Sequence, residues 1–174
     1  MRYLEGNKNL FMEDFKSAID EFQKALDLFP EFEEAKEQLI EIYFNSKDYV
    51  QALAYLNQSK KYTDFMDSHN QIEGSMVNQS LKKQTRLGND YIYRLLGIIY
   101  YQLHEYIKAI DNLNSALNSG LNNYEPPYYL GLCNIALGNN EEARLWFKKA
   151  VEKDGVEFFQ KRLNEMEKTF KSSS

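Results

Sequence analysis

The carboxylates Glu31, Glu33, Glu34, Glu37 and Glu41 crowd one short stretch of the sequence. Such a cluster could hold a divalent cation or supply a general acid and base. They stand, however, at the start of a helical pattern, where the helix dipole favours negative charge, and the rest read as a solvated face. The histidines, His69 and His104, have no partner at metal-ligand spacing, and neither HxxxH nor CxxC occurs. Cys133 falls on an apolar helix face, at the repeat position of Ile42 and Ile99, which suits a small buried hydrophobe better than a nucleophile. No glycine-rich phosphate loop is present, because Gly97 and Gly131 lie within helical patterns. The expectation is a chain that is not an enzyme and takes no metal and no cofactor.

The elements that carry these residues are helices. Tyr (13) and Phe (11) are abundant, whereas Gly (8) and Pro (3) are scarce, a balance that favours helices over a sheet. With 174 residues, 43% of them hydrophobic, the chain can bury a substantial core. Its net charge of −5 is concentrated early: residues 1–66 carry eight basic and thirteen acidic groups. Nothing in that balance attracts nucleic acid. One cysteine excludes an intrachain disulfide. The start, "MRYLEGNKNL", lacks the apolar run of a secretory signal, and no run approaches the roughly 20 residues that cross a bilayer. A soluble, cytoplasmic protein with no membrane segment is expected.

A repeat organises the helices. Ala18, Ala52, Ala109 and Ala143 are separated by 34, 57 and 34 residues, and 57 is 34 plus an insertion of 23. Four residues after each alanine come Phe22, Leu56, Leu113 and Phe147; three further on come Ala25, Ser59, Ala116 and Ala150. Upstream of the third and fourth alanines stand "YRLLGIIY" and "PYYLGLCN", and Gly6 keeps the same offset in the first copy. In the second copy Ile40 occupies the glycine position, so the first two copies are expected to be spaced slightly differently. Tyr93, Leu96, Gly97 and Tyr100, followed elsewhere by Ala18, Phe22 and Pro30, resemble the tetratricopeptide repeat (TPR) pattern, with Tyr in place of its Trp. Two short helices cannot bury their apolar faces alone, so successive pairs must stack. Small residues at the crossings let the backbones approach, which can outweigh the ~1 kcal/mol that glycine costs inside a helix.

The resemblance implies an all-α solenoid, a single TPR domain over residues 1–171. It has four helix-turn-helix repeats at about 1–32, 33–66, 90–123 and 124–155, an insertion at 67–89 and a capping helix at 156–171. Helices are placed near 3–12, 14–28, 32–45, 48–62, 90–103, 106–118, 126–137 and 140–153, with a short one inside the insertion over 75–87. A loop of this length is expected to be either disordered or functional, and if ordered it could lie across the concave face. The capping helix carries Val156, Phe159, Leu163, Met166 and Phe170 as one stripe; the same spacing suits a dimerisation helix, but two heptads are short for that job.

In the family the first helix of each pair lines a concave surface. The carboxylate clamp that grips acidic chaperone tails is matched only at Asn7; Tyr3, Gln38, Tyr91 and Leu95 occupy its other positions, so the clamp is absent. The resemblance instead places Tyr91, Arg94, Leu95, Ile98, Tyr101, Tyr128, Tyr129 and Leu132 in an apolar-aromatic groove, with Glu34, Glu37 and Glu41 at an acidic end; the alternative is that these tyrosines pack against one another or under the insertion. The expected activity is non-catalytic: an adaptor or assembly factor that holds a protein segment, apolar or amphipathic with basic flanks. The alternative is a structural or self-associating TPR portion of a larger protein, a possible homo-oligomer.

Overall fold

The computed structural model describes residues 1–70 and 88–154, together with Lys161 and Asn164. Among these residues there are eight helices and no strand. The first unit, Met1–Gly88, holds α1 (Arg2–Phe11), α2 (Phe15–Leu28), α3 (Glu33–Asn45) and α4 (Tyr49–Asn70). The second, Asn89–Ser174, holds α5 (Asn89–Gln102), α6 (Tyr106–Asn118), α7 (Glu125–Ala136) and α8 (Asn140–Asp154). Within each unit successive helices pack as antiparallel hairpins: α1 on α2, α3 on α4, α5 on α6, α7 on α8, with α2–α3 and α6–α7 joining the pairs. The expected helix over 75–87 lies outside the described residues, as do most of the capping helix and most of the insertion.

The repeat register coincides with the core. Ala18, Ala52, Ala109 and Ala143 are fully buried, and so are Phe22, Leu56, Leu113 and Phe147 four residues later. Each of those large side chains contributes about 1.5–3 kcal/mol by leaving water. The glycines meet these large residues and not the alanines. A Cβ on Gly97 would lie 2.5 Å from Leu113 Cγ and 3.2 Å from the Leu113 backbone nitrogen, so neither atom group leaves room for it. On Gly6 it would lie 2.6 Å from the Phe22 ring, and on Gly131 2.8 Å from the Phe147 ring. Each glycine is thus a seat for the bulky residue of the partner helix. In the second hairpin Ile40 replaces the glycine and is itself fully buried, as is Leu56.

The hairpin turns share a backbone device. Glu13, Lys47, His104 and Gly138 all stand five residues before the repeat alanine, with φ of +60°, +64°, +62° and +78°. Left-handed residues let the last helical carbonyls be capped by the following N–H groups. The Glu105 N–H donates to Tyr100 O at 2.8 Å, the Asn139 N–H to Asn134 O at 2.8 Å and the Asp14 N–H to Asn9 O at 2.9 Å. Asp14 and Asp48 then start α2 and α4: their carboxylates accept from Ser17 N (3.1 Å) and Gln51 N (3.3 Å). Pro126 and Pro127 occupy the first turn of α7, where a missing N–H costs nothing. Helix α4 runs on to Asn70, beyond the expected end near residue 62, because no glycine or proline interrupts it.

Candidate ligand-binding surface

Arg94, on α5, points its guanidinium at the start of α7, where Nη1 donates to Glu125 Oε2 at 2.8 Å. The same guanidinium lies 5.1 Å from the centroid of the Tyr91 ring, a cation–π distance. Both charged side chains are largely withdrawn from water, 18% and 29% exposed, so the arginine braces α5 to α7 and its charge is already matched. Glu125 was not singled out from sequence. Its one signal is an acidic residue before Pro126-Pro127, about one repeat length after Arg94.

Beside this brace runs a row of rings. Tyr101 on α5 meets Tyr129 on α7 edge-on at 5.4 Å between centroids, Tyr129 meets Tyr128 at 5.5 Å, and Tyr128 meets Phe147 of α8 at 5.7 Å. Edge-to-face contacts place the positive rim of one ring on the negative face of the next and hold the row in one arrangement. Tyr91, Tyr101, Tyr128, Tyr129 and Leu132 are all half-buried. They keep some surface while their positions are fixed by packing, Leu132 and Tyr128 against Ala143 and Phe147. Leu95 and Ile98 differ: at 3% and 2% exposure they belong to the core and present almost no surface.

The acidic residues divide in a way the sequence did not show. Glu34 and Glu37 are half-buried and Glu41 is exposed, but Glu33, at the helix start, is buried. Its carboxylate accepts from the equally buried Lys36 Nζ at 2.7 Å. The i, i+3 spacing of the two residues is the available signal, weak because such pairs are usually exposed. Among the described residues no group of three or more His, Cys, Asp or Glu side chains could hold a metal ion. His104 is engaged locally, with Nδ1 2.8 Å from the Tyr106 hydroxyl. Cys133 is fully buried, and burial pushes its thiol up to about 12, far from a reactive thiolate at neutral pH. Among the described residues no helix is long and apolar enough to cross a membrane.

Helix hairpins stacked in register on small-to-large contacts define a helical repeat protein. Profiles of the tetratricopeptide repeat match residues 12–65 and 94–156, together more than half of the chain. The chain belongs to the tetratricopeptide repeat family, whose fold generally serves non-catalytic protein interaction. Against curated protein sequences no match is found. Solved structures of similar fold include MamA from Desulfovibrio magneticus, with TM-score 0.67 and 19% identity over 90% of this chain and 75% of that one. A tetratricopeptide repeat protein from Parabacteroides merdae gives TM-score 0.67 and 20% identity over 99% and 61% of the two chains. YrrB, described as a TPR protein with an unusual peptide-binding site, gives 0.64 and 18% over 88% and 68%.

Proposed function

We propose that this protein is a non-catalytic adaptor or assembly factor that holds a segment of a partner protein on the α5–α7 face. The observation that carries this reading is the fixed, half-buried row Tyr101, Tyr129 and Tyr128, with Tyr91, Arg94 and Leu132 beside it. Rigid aromatic side chains lose little entropy on binding and offer large contact areas, which is why they anchor interfaces. Leu95 and Ile98 form the floor beneath that surface and do not touch the ligand. Because Arg94 is spent on Glu125, the face takes an apolar or amphipathic segment and selects little by charge. On the first unit, Glu34, Glu37 and Glu41 of α3 form a separate acidic surface that would attract basic residues. Family membership and the peptide-binding site named for YrrB support a protein ligand. The single buried cysteine suits a cytoplasmic setting.

The test is a Tyr101→Ala/Tyr128→Ala double variant, compared with wild type in affinity capture from native lysate and then against each purified partner. The variant should remain helical by circular dichroism and lose the partner; binding at wild-type strength would remove the site.

A specific observation also favours self-association as a second reading. Leu4, Phe11, Met12 and Phe15 of the first hairpin are 71%, 91%, 67% and 52% exposed. Large side chains left so bare on one hairpin suit a further chain packing there. Light scattering over a concentration series separates the readings, since a protein that stays monomeric throughout has no such interface.

A further inference from the structure

The turn that joins the first two hairpins carries features the repeat register does not require. Leu28 and Phe29 end α2 with 65% and 68% of their surfaces exposed. With Pro30, Glu31 and Phe32 they line an apolar depression. Pro30 is shared with a second, more polar depression between α2 and α4, lined by Gln23, Leu26, Asp27, Tyr55 and Gln58. The floor of the second is firm: Tyr55 stacks on Tyr43 with centroids 6.0 Å apart and planes 9° apart, and Gln23 Nε2 donates to the Tyr43 hydroxyl at 3.4 Å.

Two lysines of α2 and α3 are paired with other carboxylates: Lys24 with Asp20 and Glu21, and Lys36 with Glu33 and more distantly with Glu31. Asp27 makes no ion pair among the described residues, and the Glu31 side chain is 70% exposed. Exposed apolar surface beside an unneutralised carboxylate complements a ligand that is apolar along one side and cationic at its edge.

We propose that this corner is a second docking surface, for a short amphipathic segment whose apolar side chains cover Leu28 and Phe29 while a Lys or Arg reaches Asp27. It shares no residue with the α5–α7 face, so the two readings stand or fall separately.

The probe is a fluorescein-labelled synthetic peptide with leucines at i, i+3, i+4 and i+7 and lysines elsewhere, beside a twin with glutamates for the lysines. Anisotropy is measured with the full chain. The lysine peptide should bind and the glutamate peptide should not. Leu28→Ser/Phe29→Ser should weaken the lysine peptide about tenfold or more. Asp27→Lys should weaken it by roughly threefold and improve the glutamate twin. These positions are exposed, so circular dichroism should stay at wild type. Four results would overturn the proposal: no binding of the lysine peptide, equal binding of both peptides, full binding by the serine variant, or loss of binding in the Tyr101→Ala/Tyr128→Ala variant instead. A wild-type protein that self-associates without peptide, and becomes monomeric in the serine variant, would make the occupant a second copy and equally overturn it.

Discussion

The second and third hairpins solve one packing problem in opposite ways. In α5–α6, Gly97 withdraws to admit Leu113; in α3–α4, Ile40 stands where the glycine would, and both it and Leu56 are fully buried. Both crossings exclude water. The repeat therefore constrains the filled volume at a crossing and leaves free which helix fills it, as cores tolerate exchange when total volume is kept.

Exchanging the two solutions should do the most damage. Ile40→Gly removes a whole buried side chain from a hairpin already spaced for it, and should cost about 4 kcal/mol as cavity and helix-propensity losses combine, read from urea unfolding. Gly97→Ala is smaller: the new Cβ must displace Leu113, at about 2 kcal/mol net of the better helix propensity of alanine. If alanine is neutral at 97, the glycine is not a seat and the contrast between hairpins fails.

The next contrast lies two residues further along each helix, where Ile42, Ile99 and Cys133 share a register and only Cys133 titrates. Its thiol is raised from 9.0 to about 12 in the folded chain. The folded state thus favours the neutral thiol, and its contribution is full below pH 9.0. The contribution declines as pH rises from 9.0 towards about 12, because the unfolded thiol ionises first. Cys133→Val should flatten that alkaline decline, and a thiol reagent should label the wild type only after denaturant is added.

The smallest effects belong to the turns. Glu13, Lys47 and His104 hold a left-handed backbone that costs an L-residue about 1–2 kcal/mol, whereas Gly138 takes it freely. Lys47→Gly should gain about 0.5 kcal/mol after the extra entropy of unfolded glycine, and Gly138→Lys should lose a similar amount. Melting temperatures that move the other way would mean the turns are not equivalent.

These comparisons also mark what could be read from the chain alone. The hairpins were legible because Ala18, Ala52, Ala109 and Ala143 and their partners four residues later form a volume code, and volume is written in residue type. The turns were not: Glu13, Lys47 and His104 share a backbone angle but no chemistry, and only Gly138 advertises it. The surface of α5 and α7 was half legible. The tyrosines declared an aromatic face, yet nothing in their spacing separated the half-buried Tyr101 from the buried Leu95 and Ile98. The pairing of Arg94, placed among the ligand-facing residues, was hidden because Glu125, its counter-ion, lies on another helix. Burial and long-range pairing are set by the stack, and a single helix cannot reveal them.

The left-handed turn residues have a practical corollary. All four are solvent-exposed, occur once per hairpin and sit where their helices are clamped together. A spin label or fluorophore placed at Lys47 or His104 would report the loosening of its own pair without disturbing the interior. The array could then be followed hairpin by hairpin as it melts, which would show whether its repeats come apart together or in sequence.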